Sequence, residues 1–198
     1  MNILVATGNE NKRKEIESIL QDIKDIVIMK YTDLKIPPPK IIEDGKTFRE
    51  NAIKKSVTVS KFFSGLVIAD DSGLEVDALL GKPGVRSARF ARINATDEEN
   101  NKKLLNLMGK IETNKRSARF VCYLALSKNG KLLETSQGEI DGSILTAPKG
   151  QKGFGYDPLF VPNGYEKTFA EMGTALKNKI SHRSQALKNI KPLIFKYI

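Results

Sequence analysis

The sequence predicts a mixed α/β protein with a partly parallel sheet. Short apolar runs such as Ile3-Leu4-Val5-Ala6 and Val67-Ile68-Ala69 have the length of buried strands, and they alternate along the chain with segments of helical periodicity. Further along, Asn129-Gly130 separates two strand-like segments and is typical of a hairpin turn. Because alternating strands and helices favour parallel pairing and a hairpin is antiparallel, we expect both kinds of pairing.

Four helices are predicted from their apolar spacing and from residues that cap helix starts. The first follows the turn Thr7-Gly8-Asn9, and the second begins at the capping box Thr47-x-x-Glu50 and extends to about Phe63. The third begins at another capping box, Thr96-x-x-Glu99, and the last follows Ser181. Further strands are predicted at Ile26 to Met29, at Ser117 to Ser127 and from about Leu132.

Composition and charge indicate a globular protein with anionic partners. The 198 residues are 40% hydrophobic and 28% charged, as in ordinary globular proteins, and we expect one domain over residues 1–198. The 33 Lys and Arg against 23 Asp and Glu leave a charge of +10, which favours anionic partners without choosing among them. The single Cys122 fits a reducing cytoplasm, and no apolar run is long enough to span a membrane.

The turn between the first strand and the first helix is a candidate phosphate site. Thr7, Gly8 and Asn9 lead into a helix whose first turn carries Lys12, and backbone N–H groups at a helix start attract anions. Cations at this end oppose the helix dipole, and a bound phosphate would reverse that cost. The alternative is that Lys12, Arg13 and Lys14 are solvated surface charges, and the GxxxxGK(S/T) spacing of a P-loop is missing.

Adjacent carboxylates mark a candidate magnesium site. Asp70 and Asp71 follow the apolar run Val67–Ala69, and we expect that strand to end in the turn Asp70-Asp71-Ser72-Gly73. A hard cation would relieve the repulsion between the two carboxylates, and the segment Glu43-Asp44-Gly45 could supply another carboxylate. The alternative is an ordinary turn capped by an aspartate.

Lys55 is expected on the apolar face of the second helix. It lies about 20° from Phe48 on a helical wheel, whereas Lys54 points away. A buried ammonium needs a charged partner, and a nearby phosphate would supply one. The alternative is that Lys55 extends its charged end to solvent at the edge of the helix.

Two later segments are candidates for contact with a flat, polar ligand. Gly153-Phe154-Gly155-Tyr156-Asp157-Pro158 places small residues around two rings and a carboxylate, so that a base could stack on an aromatic face. His182 and Arg183 are expected near the surface, where paired donors could bind a carbonyl oxygen of a base. The alternatives are an ordinary aromatic turn and a basic, solvated tail, because Met172 to Ile198 contains no Asp or Glu.

Taken together and in order, these segments resemble the inosine/xanthosine triphosphate pyrophosphatase family, the house-cleaning purine nucleoside triphosphate pyrophosphatases. The resemblance covers nearly the whole chain. Its motifs are Ala6-Thr7-Gly8-Asn9-x-x-Lys12, Glu43-x-Gly45-x-Thr47-Phe48-x-Glu50-Asn51-Ala52, Ala69-Asp70-Asp71-Ser72-Gly73-Leu74, Pro83-Gly84-Val85-x-Ser87-Ala88-Arg89, Gly153-Phe154-Gly155-Tyr156-Asp157-Pro158 and Ile180-Ser181-His182-Arg183. Two positions depart from the family pattern, which often has an acidic residue at Leu176 and a glycine at Lys152.

The resemblance implies an elongated mixed α/β sheet with flanking helices, arranged as two lobes around a central nucleotide-binding cleft, and a homodimer. It implies Mg²⁺-dependent hydrolysis of ITP, dITP and XTP to the monophosphate and pyrophosphate. Transferred by position, Thr7, Gly8, Asn9, Lys12 and Lys55 would bind the triphosphate, Glu43 and Asp71 would hold Mg²⁺, and Asp71 would also be the proton acceptor. Ser72 would contact the substrate, Phe154 would stack the base, Gly155, Tyr156 and Asp157 would complete its pocket, and Lys177, His182 and Arg183 would bind its 6-carbonyl edge.

Two other functions remain open from the sequence. The positive charge and the acid-free C-terminal segment favour a nucleic-acid-binding module without catalysis, although helix-turn-helix, zinc-finger and RNP patterns are missing. The other is a related pyrophosphatase that acts on pyrimidine or modified nucleotides. The enzyme hypothesis, by contrast, expects no specific nucleic-acid partner and no membrane.

Overall fold

The computed structural model describes residues 1–34 and 36–197 of the chain. The strands in this part of the chain are β1 (Asn2–Val5), β2 (Val27–Met29), β3 (Leu66–Val76), β4 (Ser117–Lys128), β5 (Lys131–Ile144) and β6 (Phe160–Pro162). The α-helices are α1 (Glu10–Leu20), α2 (Phe48–Val59), α3 (Asp97–Leu107), α4 (Phe169–Met172), α5 (Thr174–Ile180) and α6 (His182–Ile194). The strands form one sheet in the order β2-β1-β3-β4-β5-β6.

The sheet is mixed, as the sequence predicts. β1 pairs in parallel with β2 and with β3, and its register with β3 sets Val5 opposite Ile68. β5 and β6 are antiparallel. The hairpin between β4 and β5 is also confirmed, because Asn129 and Gly130 have φ angles of 51° and 75°, the left-handed values that a two-residue turn requires.

The predicted helix starts are confirmed, and one helix is shorter than predicted. Thr47 and Thr96 cap α2 and α3 through reciprocal capping boxes, and Asn9 caps α1. α2 ends at Val59 rather than near Phe63. Its C-cap residue Ser60 accepts a hydrogen bond from the Gly130 N–H at 2.9 Å, and this contact with the hairpin turn lies where the helix stops.

The largest difference between the predicted and the observed elements is the length of β3. The strand does not end at Ala69 but continues through Asp70-Asp71-Ser72-Gly73 to Val76. Gly73 allows this because a Cβ there would lie 2.3 Å from the Ser87 Oγ atom, which accepts the Leu74 N–H. Buried aspartates in a strand were not expected, and their charges are compensated by side chains from other elements, described below.

The chain divides into two compact units. The first comprises residues 1–71, 122–138 and 183–198, and the second comprises residues 72–121 and 139–182. The first unit has two apolar clusters, one built around Ile3, Ile16, Leu124 and Leu187, and a smaller one around Leu4 and Val67. The second unit has a core of its own that includes Leu74, Leu104, Phe120, Phe160 and Phe169. Within the described residues, no helix combines the length and apolar character needed to cross a membrane.

Candidate active site

The turn after β1 has the form of an anion-binding helix start. The Asn9 Oδ1 atom caps α1 by accepting the Lys12 N–H at 3.1 Å, and the Thr7 Oγ1 atom accepts the Asn9 N–H at 3.1 Å. A Cβ built on Gly8 would meet no atom within 4 Å, so the backbone of the turn is open to approach. Because β1 and β3 are parallel neighbours, this turn lies beside the segment that contains Asp70 and Asp71.

Asp70 is a buried anion surrounded by cations. Its Oδ2 atom lies 3.1 Å from the Lys12 Nζ atom and 3.3 Å from an Arg183 Nη atom, and the other Nη atom of Arg183 pairs with Glu15. Burial alone would raise the pKa of the Asp70 carboxyl, but Lys12, Arg183 and Lys55 outweigh burial and hold that pKa well below its usual range. Asp70 therefore stays ionised and holds the Lys12 ammonium near the end of the first strand.

Lys55 is buried, as its position on the helical wheel predicts. Its Nζ atom donates to the Asp70 carbonyl oxygen at 2.9 Å and pairs with Glu43 at 2.8 Å. Burial lowers the pKa of the Lys55 ammonium, but the nearby carboxylates more than compensate and raise it above its usual value. The neighbouring Lys54 is exposed and pairs with Asp44 at 2.5 Å. Lys55 is thus a permanent positive charge inside the acidic cluster, and it does not reach out to solvent.

Asp71 differs from Asp70 in its partners and its proton affinity. Only 6% of Asp71 is exposed, and its Oδ2 atom accepts a hydrogen bond from the Asn51 Nδ2 atom at 2.9 Å. Burial raises the pKa of the Asp71 carboxyl to about 6, against the opposing effect of Lys12 and Lys55. The Asp71 carboxylate is therefore poised to exchange a proton near neutral pH.

Asn51 is a site residue to which sequence reasoning gave no role. Its Oδ1 atom accepts the Gly45 N–H at 2.8 Å while its amide donates to Asp71. A Cβ on Gly45 would lie 2.6 Å from that Oδ1 atom, so Gly45 allows the close approach. The available signal was a polar amide on the face of α2 that also carries Phe48 and Lys55.

The carboxylates of this cluster fit a hard divalent cation. Glu43 and Asp71 both lie near the Lys55 ammonium, and Glu43 contributes to the raised pKa of Asp71. A cation at these two oxygen ligands would lower the Asp71 pKa, which burial raises and to which the Glu43 charge adds. In the described part of the chain, no group of three or more His, Cys, Asp or Glu side chains is arranged to hold a metal. Mg²⁺ needs no such cage, because it commonly uses one or two carboxylates together with water and substrate phosphates.

The second unit positions an aromatic loop through Asp157. The Asp157 Oδ2 atom accepts the Phe154 N–H at 2.9 Å and pairs with the Lys177 Nζ atom at 2.6 Å. That ammonium lies 4.4 Å from the centre of the Phe154 ring, in a cation–π contact. Gly153 has a φ of 81°, and a Cβ there would lie 2.1 Å from the Asp157 Oδ2 atom. The loop therefore requires this glycine, and Phe154, Asp157 and Lys177 act as one packed group.

Tyr156 anchors the same loop and is itself buried. Its hydroxyl donates to the Ser87 carbonyl oxygen at 2.9 Å, and burial raises its pKa above the usual range. Ser87 belongs to the Pro83–Arg89 motif, and its Oγ atom also holds β3 next to Gly73. Ser72 lies half-buried in the same strand. Tyr156 therefore links the loop to the strand through Ser87.

His182 and Arg183 are buried, so the expectation of a solvated position is wrong. The His182 ring is 4% exposed and stacks on Phe120, with centroids 4.8 Å apart and an interplanar angle of 8°. Arg183 is 1% exposed because Glu15 and Asp70 neutralise its guanidinium. The segment contains no acidic residue, but carboxylates from α1 and β3 balance its charge. Recognition of a base by these two residues stays a prediction.

The predicted residues fall into the two units as follows. The first unit contains Thr7, Gly8, Asn9, Lys12, Glu43, Lys55, Asp71 and Arg183. The second contains Ser72, Phe154, Gly155, Tyr156, Asp157, Lys177 and His182. Contacts within each unit bring together the Lys12, Lys55 and Asp71 group and the Phe154, Asp157 and Lys177 group.

Comparison with known proteins identifies the family to which the chain belongs. The chain matches the model of the Ham1 family over residues 3–193. It is 44% identical over 196 residues to the dITP/XTP pyrophosphatase of Bacillus licheniformis, covering 97% of both chains. It is 48% identical over 200 residues to the dITP/XTP pyrophosphatase of Desulfotalea psychrophila, covering 99% of this chain and 87% of the relative. The structure of a HAM1 protein from Coxiella burnetii has the same α/β fold, with a TM-score of 0.88 and 38% identity over 99% of both chains. The chain therefore belongs to the Ham1 family.

Proposed function

We propose that this protein is a nucleoside-triphosphate pyrophosphatase that hydrolyses the deaminated purine nucleotides ITP, dITP and XTP to the monophosphate and pyrophosphate. Two full-length relatives at 44% and 48% identity are named dITP/XTP pyrophosphatases, which supports this substrate class. The observation that carries the chemistry is the buried Asp71, with a pKa of about 6, beside two lysines and an ordered amide.

The triphosphate is bound by the positive groups of the first unit. The open turn at Gly8 and the start of α1 offer backbone N–H groups, and Lys12 and Lys55 offer ammonium groups. Both ammonium groups are already held by Asp70 or Glu43, so they require little reordering when a phosphate arrives. The same charges stabilise the pyrophosphate as it leaves.

Glu43 and Asp71 would hold Mg²⁺ together with oxygens of the substrate phosphates and water. When bound, the ion would supply positive charge that neutralises the charge developing on the phosphates during hydrolysis. The Lys55 ammonium between these acids and the Asp70 carbonyl oxygen keeps Glu43 in place.

Asp71 accepts the proton in the hydrolytic step. A water oxygen forms a bond to the α-phosphorus, the anhydride bond between the α-phosphorus and its bridging oxygen breaks, and the bridging oxygen leaves with pyrophosphate. The water proton passes to the Asp71 carboxylate, which the Asn51 amide orients at 2.9 Å. Without a cation the pKa of this carboxylate is about 6, so it is mostly ionised at pH 7. A bound cation would lower that pKa, and orientation of the water by the carboxylate would then contribute more than its basicity.

The base is bound by the aromatic loop and by nearby basic residues. Phe154 stacks the purine, Gly155, Tyr156 and Asp157 form the pocket, and Ser72 contacts the substrate. Donors from Lys177, His182 and Arg183 bind the 6-carbonyl oxygen, and the 6-amino group of ATP would instead face them with its own hydrogens. An unpaired buried donor costs about 1–3 kcal/mol, or more when it is charged, which disfavours ATP.

A pyrophosphate-release assay tests the activity and the metal requirement together. The panel contains ITP, dITP, XTP, GTP, ATP and a pyrimidine triphosphate, each with Mg²⁺ and with EDTA. We expect rapid release from the first three with Mg²⁺ only. Release from the pyrimidine alone would favour the related pyrophosphatase, and no release from any nucleotide would contradict the proposal.

The variant Asp71→Asn tests the catalytic assignment. It keeps the size of the side chain and removes the proton acceptor, so turnover should fall by several orders of magnitude while the circular dichroism spectrum is unchanged. The matched control is Asp44→Asn, because Asp44 is an exposed acid paired with Lys54 and not with the site. Near-normal turnover in Asp71→Asn would refute the role given to Asp71.

We also propose that the enzyme acts as a homodimer in the cytoplasm and binds no specific nucleic acid. Light scattering after gel filtration measures the assembly. Filter binding of duplex and single-stranded DNA at two salt concentrations tests the nucleic-acid alternative, since a +10 charge alone would give only weak, strongly salt-dependent retention.

A further inference from the structure

Helix α3 holds one glycine of the aromatic loop from both sides. The Asp97 Oδ2 atom accepts the Gly155 N–H at 2.6 Å, and the Asn101 Nδ2 atom donates to the Gly155 carbonyl oxygen at 3.0 Å. Asp97 and Asn101 are four residues apart, so both side chains project from the same face of α3. All three residues belong to the second unit.

These contacts fix the backbone on either side of Phe154. The peptide before Phe154 is held because Asp157 accepts the Phe154 N–H, and the peptide after it is held because Asp97 accepts the Gly155 N–H. The flanking glycines have φ angles of 81° and 62°, in a region that glycine enters freely and leaves as easily. Without its partners this loop would sample several conformations, and the direction of the Phe154 ring would vary with them.

Asn101 is not explained by the stability of α3 itself, whereas Asp97 lies in the first turn, where the helix dipole also favours an acid. The helix start is already capped by Thr96 and Glu99, which exchange hydrogen bonds at 3.2 Å and 2.8 Å. Asn101 is a poor residue for a helix interior, and its buried Oδ1 atom accepts no hydrogen bond within the described residues. Asn101 is therefore better explained by its hydrogen bond to the aromatic loop than by a contribution to the stability of the helix.

We propose that Asp97 and Asn101 are positioning residues that set the affinity for the base by fixing the Gly155 peptides and thereby the Phe154 ring. This inference rests on the proposed function, because it takes Phe154 as the surface on which the purine stacks. It assigns no contact between substrate and α3.

The test compares Asp97→Ala and Asn101→Ala with two neighbours on the same helix. The control Glu98→Ala removes an exposed acid from the same turn, and Asn106→Ala removes an exposed amide from a later turn. In both Asp97→Ala and Asn101→Ala we expect the KM for ITP to rise about tenfold with kcat nearly unchanged. Inhibition by inorganic tripolyphosphate, which lacks a base, should stay at the wild-type level, and both controls should match the wild type throughout.

Conservative replacement separates positioning from folding. Asp97→Asn keeps an Oδ1 acceptor for the Gly155 N–H, so its KM should return close to the wild-type value. If Asp97→Ala does not fold, Asn101→Ala tests the peptide on the other side of Gly155. A wild-type KM in the variants that fold would overturn the proposal, and so would an equal loss of ITP and tripolyphosphate binding.

Amide hydrogen exchange without ligand distinguishes failure of this inference from failure of the proposed function. The Gly155 amide should exchange at least tenfold faster in Asp97→Ala than in Glu98→Ala. If the wild type does not hydrolyse ITP, the proposed function fails and the base-affinity role fails with it, whatever the exchange rate. If the wild type hydrolyses ITP, and Asp97→Ala speeds exchange of the Gly155 amide without changing the KM, only the positioning role is overturned.

Discussion

Asp70 and Asp71 are adjacent in sequence and have opposite electrostatic environments. Asp70 contacts Lys12 and Arg183 and keeps its charge, whereas Asp71 contacts a neutral amide and has a raised pKa. The first residue organises cations and the second is able to exchange a proton. A sequence shows the pair but not this division, because the deciding partners come from α1, α2 and α6.

Lys12→Ala should weaken triphosphate binding more than monophosphate binding. Its ammonium is held at the open turn by Asp70, and loss of a charged hydrogen bond costs about 1.5–3 kcal/mol, or about tenfold or more in affinity. Calorimetry with tripolyphosphate and with IMP measures both effects. The exposed Lys14 on the same helix provides the control Lys14→Ala, and equal losses for both ligands in Lys12→Ala would argue against a phosphate contact.

The Cys122 thiol should be unreactive in the folded protein. Burial raises its pKa to about 12, so the folded state binds the thiol proton more tightly than the unfolded chain does. The resulting stabilisation is complete below the unfolded pKa of about 8.5 and is lost as the pH rises toward 12. A disulfide reagent at pH 8 should label Cys122 only in denaturant, whereas an exposed thiol in Ser64→Cys should react at once. Rapid labelling of Cys122 in the native protein would contradict its burial.

At the scale of elements, local signals predicted helix starts and the hairpin well. The capping boxes at Thr47 and Thr96 and the turn at Asn129-Gly130 depend on contacts between near neighbours, which a sequence displays directly. The continuation of β3 through Asp70-Asp71-Ser72-Gly73 did not follow, because such residues are typical of turns unless distant cations and Ser87 accommodate them. Burial of Arg183 was missed for the same reason, since Glu15 lies 168 positions away.

The periodicity of the helices did indicate that some of these polar residues face the core. Lys55 was found because its place on the wheel of α2 is apolar. The same construction places Lys12 about 40° from Ile16 on α1, on the face toward the core. Asn51 and Glu15 are buried on their helices too, but a wheel does not show which partner a buried polar group has.

Gly153→Ala tests the fit between the aromatic loop and Asp157. Gly164 is a matched control, because its φ of 82° is nearly the 81° of Gly153 but a Cβ there meets no atom within 4 Å. We expect Gly164→Ala to lower the free energy of unfolding by about 1 kcal/mol through backbone strain alone. Gly153→Ala should lower it further and raise the KM for ITP, because its Cβ displaces the carboxylate that holds Phe154 and Lys177. Urea unfolding measures the free energy, and steady-state kinetics measure the KM. Equal effects of the two substitutions would contradict a clash between the Cβ of Gly153→Ala and the Asp157 carboxylate.

At the scale of the whole molecule, the clustered charges make stability depend on ligands. The chain carries a net charge of +10. Among the described residues the buried acids are Glu15, Asp70 and Asp71 of the first unit and Asp157 of the second, and each lies beside a cationic side chain of its own unit. A ligand that supplies negative phosphates and a divalent cation complements both signs at once. Binding to the folded state alone raises stability in proportion to the logarithm of ligand concentration.

Tripolyphosphate with Mg²⁺ should therefore raise the Tm more than either does alone. At 100 times the Kd the gain is about 2.7 kcal/mol, which a thermal shift assay detects easily. Asp71→Asn should lose the part of the shift that depends on Mg²⁺, and Asp44→Asn should retain it. A shift of equal size without Mg²⁺, or an unchanged shift in Asp71→Asn, would contradict the metal assignment.

The unbroken path of β3 has a consequence for insertions and deletions. Side chains alternate across a strand, so Asp70 and Asp71 point to opposite sides of the sheet, one toward Lys12 and the other toward Asn51. Removing or adding one residue between Ile68 and Asp70 would turn each carboxylate to the wrong side, even with every amino acid type preserved. We therefore expect substitutions at this position to be tolerated better than an insertion or deletion of one residue. A scan of single-residue deletions along the chain should show the largest loss of activity here.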